Sequence, residues 1–201
     1  MLTKAEDVAF LFIDHQSGLI QTVKDIPVAD MRINVAGLAK AATLLGAPSV
    51  YTESVPEGPN GPIIPEIKAN APDAVYAQRT GEINAWDSAA FVDAVKATGK
   101  KTLIMSGIWT SVCVALPALS AIEEGYTVYA VIDASGDVST FSRDITMARL
   151  AAAGVIVVSV TGILAELQQT WGIESPMDWA GIYAGISPNY AAAIEQQNAP
   201  Q

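Results

Sequence analysis

The sequence predicts a three-layer α/β/α, Rossmann-like domain built on a mostly parallel sheet of about six strands. Three observations carry this. Short β-rich apolar runs alternate with longer amphipathic ones along the chain, a pattern that implies parallel pairing through right-handed crossovers. The first run, Val8-Ala9-Phe10-Leu11-Phe12-Ile13, is apolar on both alternating faces, as a strand covered by helices on both sides must be. Finally, 51% of the 201 residues are hydrophobic, enough for one substantial core, and no repeat, linker or composition break divides 1–201 into more than one domain.

The elements follow in order. Residues 28–46 read as a helix, with apolar residues at Met31, Val35, Leu38, Ala42 and Leu45 and a stop at Gly46. A strand at 49–52 restarts after Pro48. Residues 54–74 carry Pro56, Gly58, Pro59, Gly61, Pro62 and Pro65, which predicts a long irregular loop. Loops of that length commonly serve a site or an interface. A short strand at 75–78 and a helix at 88–99, with Asp87 or Ser88 as cap and Gly99 as stop, come next. Strands at 102–108, 127–132 and 155–160 alternate with helices at 114–124, 142–153 and 163–171. The tail from Glu174, rich in Pro, Trp, Tyr and Gly, is expected to pack on the core or on a neighbouring subunit, its last few residues frayed.

Composition narrows the function classes. The formal net charge is −10 and the basic residues are scattered, so no basic patch exists to follow nucleic acid or an anionic membrane. The first residues carry acid where a signal peptide needs a basic segment. No apolar run approaches the roughly 20 residues that span a bilayer. A single cysteine, Cys113, forms no internal disulfide and suits a reducing compartment. A soluble, cytoplasmic protein acting on a small molecule is the expectation.

In open parallel sheets, ligands bind at the carboxyl ends of the strands. Asp14 ends the first strand, Arg79 follows the third and Cys113 follows the fourth by a tight turn. In the doubly wound order 3-2-1-4-5-6, Asp14 and Cys113 meet at the point where the strand order reverses. A thiol opening a helix lies at the positive end of its dipole, which favours thiolate. Asp14 could take its proton and Arg79 could hold Asp14 ionised. Backbone N–H groups of the Trp109 to Cys113 turn could hold an oxyanion. Each residue also has a plainer account. A free cysteine is often inert and buried, an Asp after a strand often caps a turn, and a lone Arg often makes a surface ion pair. His15, the only histidine, reads as a structural hydrogen-bonder rather than a general base. A lone histidine is a poor metal site, and no phosphate-cradling glycine motif is present. No metal and no cofactor are expected.

Taken together, Asp14-His15-Gln16 after VAFLFI, Arg79 before Gly81-Glu82-Ile83-Asn84-Ala85-Trp86, and Thr110-Ser111-Val112-Cys113-Val114 resemble the isochorismatase-like cysteine hydrolase superfamily. The stretches 57–62, 83–87, 95–101 and 119–126 look like its YcaC-type bacterial branch. The resemblance covers roughly 8–171. It implies a hydrolase with Asp14 as base, Cys113 as nucleophile and Arg79 in the cation position that most of the superfamily gives to Lys. Arg lends no proton at neutral pH, so it acts through charge and hydrogen bonds alone. The resemblance also implies a non-proline cis peptide, by position at Trp109–Thr110, that aims the Thr110 N–H at the oxyanion beside that of Cys113. Trp109 replaces the small aliphatic residue usual in relatives. Asn84, Trp86 and Trp109 are the expected substrate-binding residues. The histidines of the nicotinamidase branch are missing, and an intact Cys113 argues against isochorismatase proper. Cleavage of an amide-type C–N bond through a Cys113 thioester remains, in a homo-oligomer whose form in the YcaC branch is a ring-based octamer. Two other readings stay open: a non-catalytic oligomeric binding protein with a relic site, and, ranked last, a redox-sensing thiol.

Overall fold

Strands β1 (Val8–Ile13), β2 (Ser49–Glu53), β3 (Val75–Gln78), β4 (Thr102–Gly107), β5 (Thr127–Val131) and β6 (Ile156–Val158) form one parallel sheet in the order β3-β2-β1-β4-β5-β6. The structure is a computed structural model that describes residues 2–198. Helices α1 (Ser17–Ile20), α2 (Val28–Leu44), α3 (Pro65–Asn70), α4 (Ala89–Ala97), α5 (Ala115–Glu123), α6 (Thr140–Ala152), α7 (Val160–Gln168), α8 (Pro176–Ile186) and α9 (Pro188–Asn198) connect and flank it. Among the described residues, no helix is long and apolar enough to cross a membrane.

The central strand shows why the sequence takes this form. Every residue of β1 is buried. Val8, Phe10 and Phe12 enter the core layer that also holds Met31, Val35 and Leu38 of α2 and Ile163 and Leu164 of α7. Ala9, Leu11 and Ile13 enter the opposite layer with Phe91 of α4, Ala118 of α5 and Leu150 of α6. Two-residue periodicity therefore feeds two cores at once. Fully burying a side chain of the size of Phe10 or Leu11 stabilises the fold by about 1.5–3 kcal/mol.

Helix boundaries follow local chemistry. Ser139 Oγ accepts the Ser142 N–H and Ser159 Oγ accepts the Gly162 N–H, which caps α6 and α7 and starts both earlier than hydrophobic periodicity alone suggests. Gly46, at φ +59°, closes α2 with the left-handed turn glycine tolerates best.

One expectation needs correction. The 54–74 stretch is not irregular throughout, because Pro65 opens α3; proline at a first helical position lacks only an N–H that has no helical partner anyway. The tail is two helices, and α8 lies on α2: Trp179 and Ile182 join the core, and a Cβ on Gly37 would meet Ile186 Cγ2 at 2.5 Å. The expected fraying at the extreme C-terminus falls outside the described residues.

The sheet also aims the chain at one point. The register pairs Ile13 with Gly107, so Asp14 and Ile108 leave neighbouring strands together. A Cβ on Gly107 would sit 2.4 Å from the Ile13 carbonyl oxygen, and glycine alone permits this approach.

Candidate active site

Asp14 terminates β1 at φ +56°, a left-handed conformation that Asp tolerates better than most residues. Its N–H donates to the Thr52 carbonyl at 3.1 Å, continuing the β1–β2 pairing past the strand end. The side chain is buried, and so is that of Arg79. Arg79 starts from the end of β3 and reaches across β2. Its Nε donates to Thr52 Oγ1 at 3.0 Å, its Nη1 to the Glu82 carbonyl at 2.7 Å and its Nη2 to Asp14 Oδ1. Thr52 Oγ1 donates its own hydrogen to the Ala77 carbonyl at 2.6 Å, leaving its lone pairs for Arg79. A planar fork with five donors can hold these three partners at once; a single ammonium group has no such shape.

Cys113 comes from the other side. Between β4 and α5 the chain makes one π-type turn, Thr110–Val114. Three amides converge on the Trp109 carbonyl: Val112 at 3.1 Å, Cys113 at 2.8 Å and Val114 at 3.3 Å. The Thr110 N–H donates to the Gly136 carbonyl at 2.9 Å and the Ser111 N–H to Asp137 Oδ2 at 2.8 Å. The turn thus presents Cys113, 9% exposed, to the Asp14 carboxylate. The two are close enough to shift each other's ionisation, yet Asp14 Oδ2 forms no hydrogen bond among the described residues.

Electrostatics here differ from the expectation of a primed thiolate. Burial pushes the Cys113 thiol well above its ordinary value, and the Asp14 charge pushes the same way; the backbone hydrogen bond with Trp109 and the Arg79 charge oppose them without prevailing. Burial also raises Asp14, against the opposing pull of Arg79. Burial therefore favours the thiol over the thiolate at Cys113.

Two further expectations are corrected. The non-proline cis bond is Ile108–Trp109, one residue earlier than the resemblance implied. The Thr110 N–H is committed to Gly136 and the Cys113 N–H to Trp109, so neither is a free oxyanion donor; the Trp109 N–H has no acceptor among the described residues. Asn84 and Trp86 are both tied to neighbouring segments. Asn84 Oδ1 accepts the Trp86 N–H at 3.1 Å and its Nδ2 donates to Ser120 Oγ at 3.1 Å, so its amide ties this segment to α5. Trp86 is buried against Phe91 and Tyr126, its Nε1 donating to Glu124 Oε1 at 2.8 Å. Trp109 precedes the turn that carries Cys113. Its indole Nε1 donates to Thr22 Oγ1 at 2.6 Å, which draws the ring toward the segment after α1.

His15 is structural. Its Nε2 lies 2.9 Å from the Ala134 carbonyl, which assigns the hydrogen to that nitrogen, and burial lowers its pKa to about 4. Gln16 pins the long loop beside the site: its Oε1 accepts the Ser54 N–H at 2.8 Å and its Nε2 donates to the Ser54 carbonyl at 3.1 Å and the Gly61 carbonyl at 2.5 Å. Sequence reasoning missed Thr52 and Asp137. Thr52 carries no signal, since a threonine inside a strand is ordinary. Asp137 has one: Ser135-Gly136-Asp137 follows β5 at the same edge of the sheet where Asp14 follows β1.

An isochorismatase domain family model matches residues 8–162 of the chain. The probable hydrolase YcaC of Escherichia coli K12 is 48% identical over 165 residues, which covers 82% of this chain and 79% of that protein. The crystal structure of the E. coli ycaC gene product, described as an octameric hydrolase of unknown specificity, matches with a TM-score of 0.95 at 41% identity, covering 98% of this chain and 97% of that one. YcaC from Pseudomonas aeruginosa, solved with hexane-2,5-diol and covalent acrylamide, matches with a TM-score of 0.94 at 43% identity over 98% of both chains.

Two outcomes follow from this geometry. Arg79→Ala strands a buried carboxylate and lowers stability by about 3–5 kcal/mol in urea unfolding, and Asp14→Ala in the same chain recovers part of that loss; a double variant no more stable than the single one contradicts the pairing. For His15 the folded pKa lies below the unfolded value near 6.5, so the unfolded state binds the proton first. Stability then falls as pH drops from about 6.5 toward about 4, by of order 3 kcal/mol from this group. His15→Gln flattens that part of the unfolding profile, and an unchanged slope refutes the assignment.

Proposed function

The chain belongs to the isochorismatase family, and we propose that it is a cysteine-dependent hydrolase that cleaves an amide-type C–N bond of a small molecule through a Cys113 thioester. The observation that carries this is the buried Asp14–Arg79 ion pair close beside the chain's single thiol.

The steps follow from the charges. Asp14 accepts the thiol proton as the sulfur attacks the substrate carbonyl, so the thiolate never persists in a buried site that disfavours it. The S–C bond forms and the carbonyl oxygen takes the negative charge, with the Trp109 N–H as the donor the turn leaves free. The intermediate collapses, the C–N bond breaks, and Asp14 returns the proton to the departing nitrogen. Water then adds to the thioester, giving its proton to Asp14, and the thiol leaves reprotonated with release of the acid. Arg79 opposes the effect of burial on Asp14 and so favours its ionised form at the start of each half-cycle.

One observation favours a second reading, a binding protein that retains the site without turnover: the Cys113 side chain is buried, 9% exposed. The reading also entails a homo-oligomer, since the E. coli relative is described as octameric and α6 exposes Phe141 and Ile145 on one helical face, at 74% and 54%. A cytoplasmic location goes with it, because a working thiol needs a reducing compartment.

Asp14→Asn separates the two readings. With the neighbouring charge gone, the Cys113 ionisation, followed by thiolate absorbance, moves to lower pH, while amide hydrolysis falls about 10²–10⁴-fold. An unmoved ionisation, or turnover that survives in Asp14→Asn or Cys113→Ala, defeats the proposal. Light scattering on the purified protein gives a mass of several chains; a monomer contradicts the oligomer.

A further inference from the structure

We propose that Asp137 and Asp25 are positioning residues that set the direction of the nucleophile turn. The inference rests on the reading of Cys113 as the nucleophile and deepens it. Asp137 is fully buried in the loop after β5. Its carboxylate takes three donors: the Ser111 N–H on Oδ2 at 2.8 Å, and the Ser111 Oγ–H at 3.1 Å and Val138 N–H at 2.8 Å on Oδ1. Ser111 stands two residues before Cys113. The neighbouring Gly136 carbonyl takes the Thr110 N–H at 2.9 Å. Residues 136 and 137 therefore grip two consecutive residues of the turn.

Asp137 is itself clamped by the segment between α1 and α2. Its N–H donates to Asp25 Oδ1 at 2.6 Å, and its carbonyl accepts the Lys24 N–H at 2.8 Å. Arg143 of α6 ties the segment down, its Nη1 donating to the Asp25 carbonyl at 3.0 Å. Gly136 leaves no slack: a Cβ there would lie 2.6 Å from Val23 Cγ2. The chain of contacts runs from Asp25 through Asp137 to Ser111.

This network does more than hold a loop, because it decides where the amides of the turn point. Gly136 and Asp137 take the Thr110 and Ser111 N–H groups, and the Trp109 carbonyl takes those of Val112 and Cys113. Trp109 N–H is left for an oxyanion. Without Asp137, the Ser111 N–H loses its acceptor and competes for the same charge, and the turn loses its anchor two residues from the sulfur. An Asn at 137 has one acceptor oxygen, so its NH₂ must face a donor. A carboxylate is required here, not merely a polar side chain.

The test compares two reagents on intact protein by mass spectrometry. Acrylamide adds Cys113 sulfur to its terminal carbon; the double-bond electrons move onto the amide oxygen, and a proton then joins the α-carbon. Methyl methanethiosulfonate forms a mixed disulfide and expels methanesulfinate, with no carbonyl oxygen to stabilise. Both rates scale with the thiolate fraction, so their ratio is independent of Cys113 ionisation. In Asp137→Asn, and less strongly in Asp25→Ala, acrylamide addition falls about tenfold or more while the thiosulfonate rate stays within about twofold. Ser111→Ala, which deletes one of the three donors and keeps the amide bond, shifts the ratio the same way by a smaller factor and serves if Asp137→Asn does not fold. Both rates falling together, or a ratio unchanged in the folded variants, overturns the positioning role. Mass spectrometry that finds no acrylamide on Cys113 of the native, unmodified protein defeats the nucleophile reading itself, and this inference with it.

Discussion

The site is organised around one buried ion pair. Asp14 and Arg79 arrive from β1 and β3, strands that are not neighbours, and meet above the end of β2. Adjacent strands lie about 4.8 Å apart, so the cation needs the reach of a long side chain and a partner along the way. Thr52, at the end of β2, is that partner. The pair persists in a dry site because each guanidinium nitrogen has a fixed acceptor. Removing either charge would leave the other uncompensated, the most costly arrangement a core can hold.

From that pair the chemistry on the neighbouring strand follows. Arg79 occupies one oxygen of Asp14, and Cys113, delivered past the end of β4, lies close to the same carboxylate. Burial and the Asp14 charge together favour the thiol over the thiolate there, so in the proposed reaction proton transfer accompanies attack. The helix dipole at the start of α5 is too weak to reverse this, and the converging amides that would express it are spent on the Trp109 carbonyl.

Much of this was legible beforehand for one reason. In a parallel sheet the strand ends lie at one edge, so an ionisable or nucleophilic residue just past a strand is already placed near its counterparts. Asp14, Arg79 and Cys113 each satisfy that rule. What was not legible is equally physical. Asn84 and Trp86 sit in a loop, where sequence position says little about direction; Asn84 ties the loop to α5 and Trp86 fills the core. The same strand-end rule reaches Asp137, but an Asp two residues past a serine and a glycine also reads as an ordinary turn.

The sequence by itself determined the α/β class with its parallel sheet, the placement of Asp14 and Arg79 just past strands and of Cys113 after a further turn, and, through its motifs, the resemblance to the family. The first two depend on periodicity and local residue type, which the chain carries in full. Only the tertiary structure decided the ionisation of Cys113, the residue at which the cis bond falls, which amide of the turn stays free, and the use of Thr52, Glu82 and Asp137 to hold the site. Those properties depend on how segments far apart in sequence bury and hydrogen-bond one another. Burial and the fate of a hydrogen bond belong to pairs of atoms that only folding brings together.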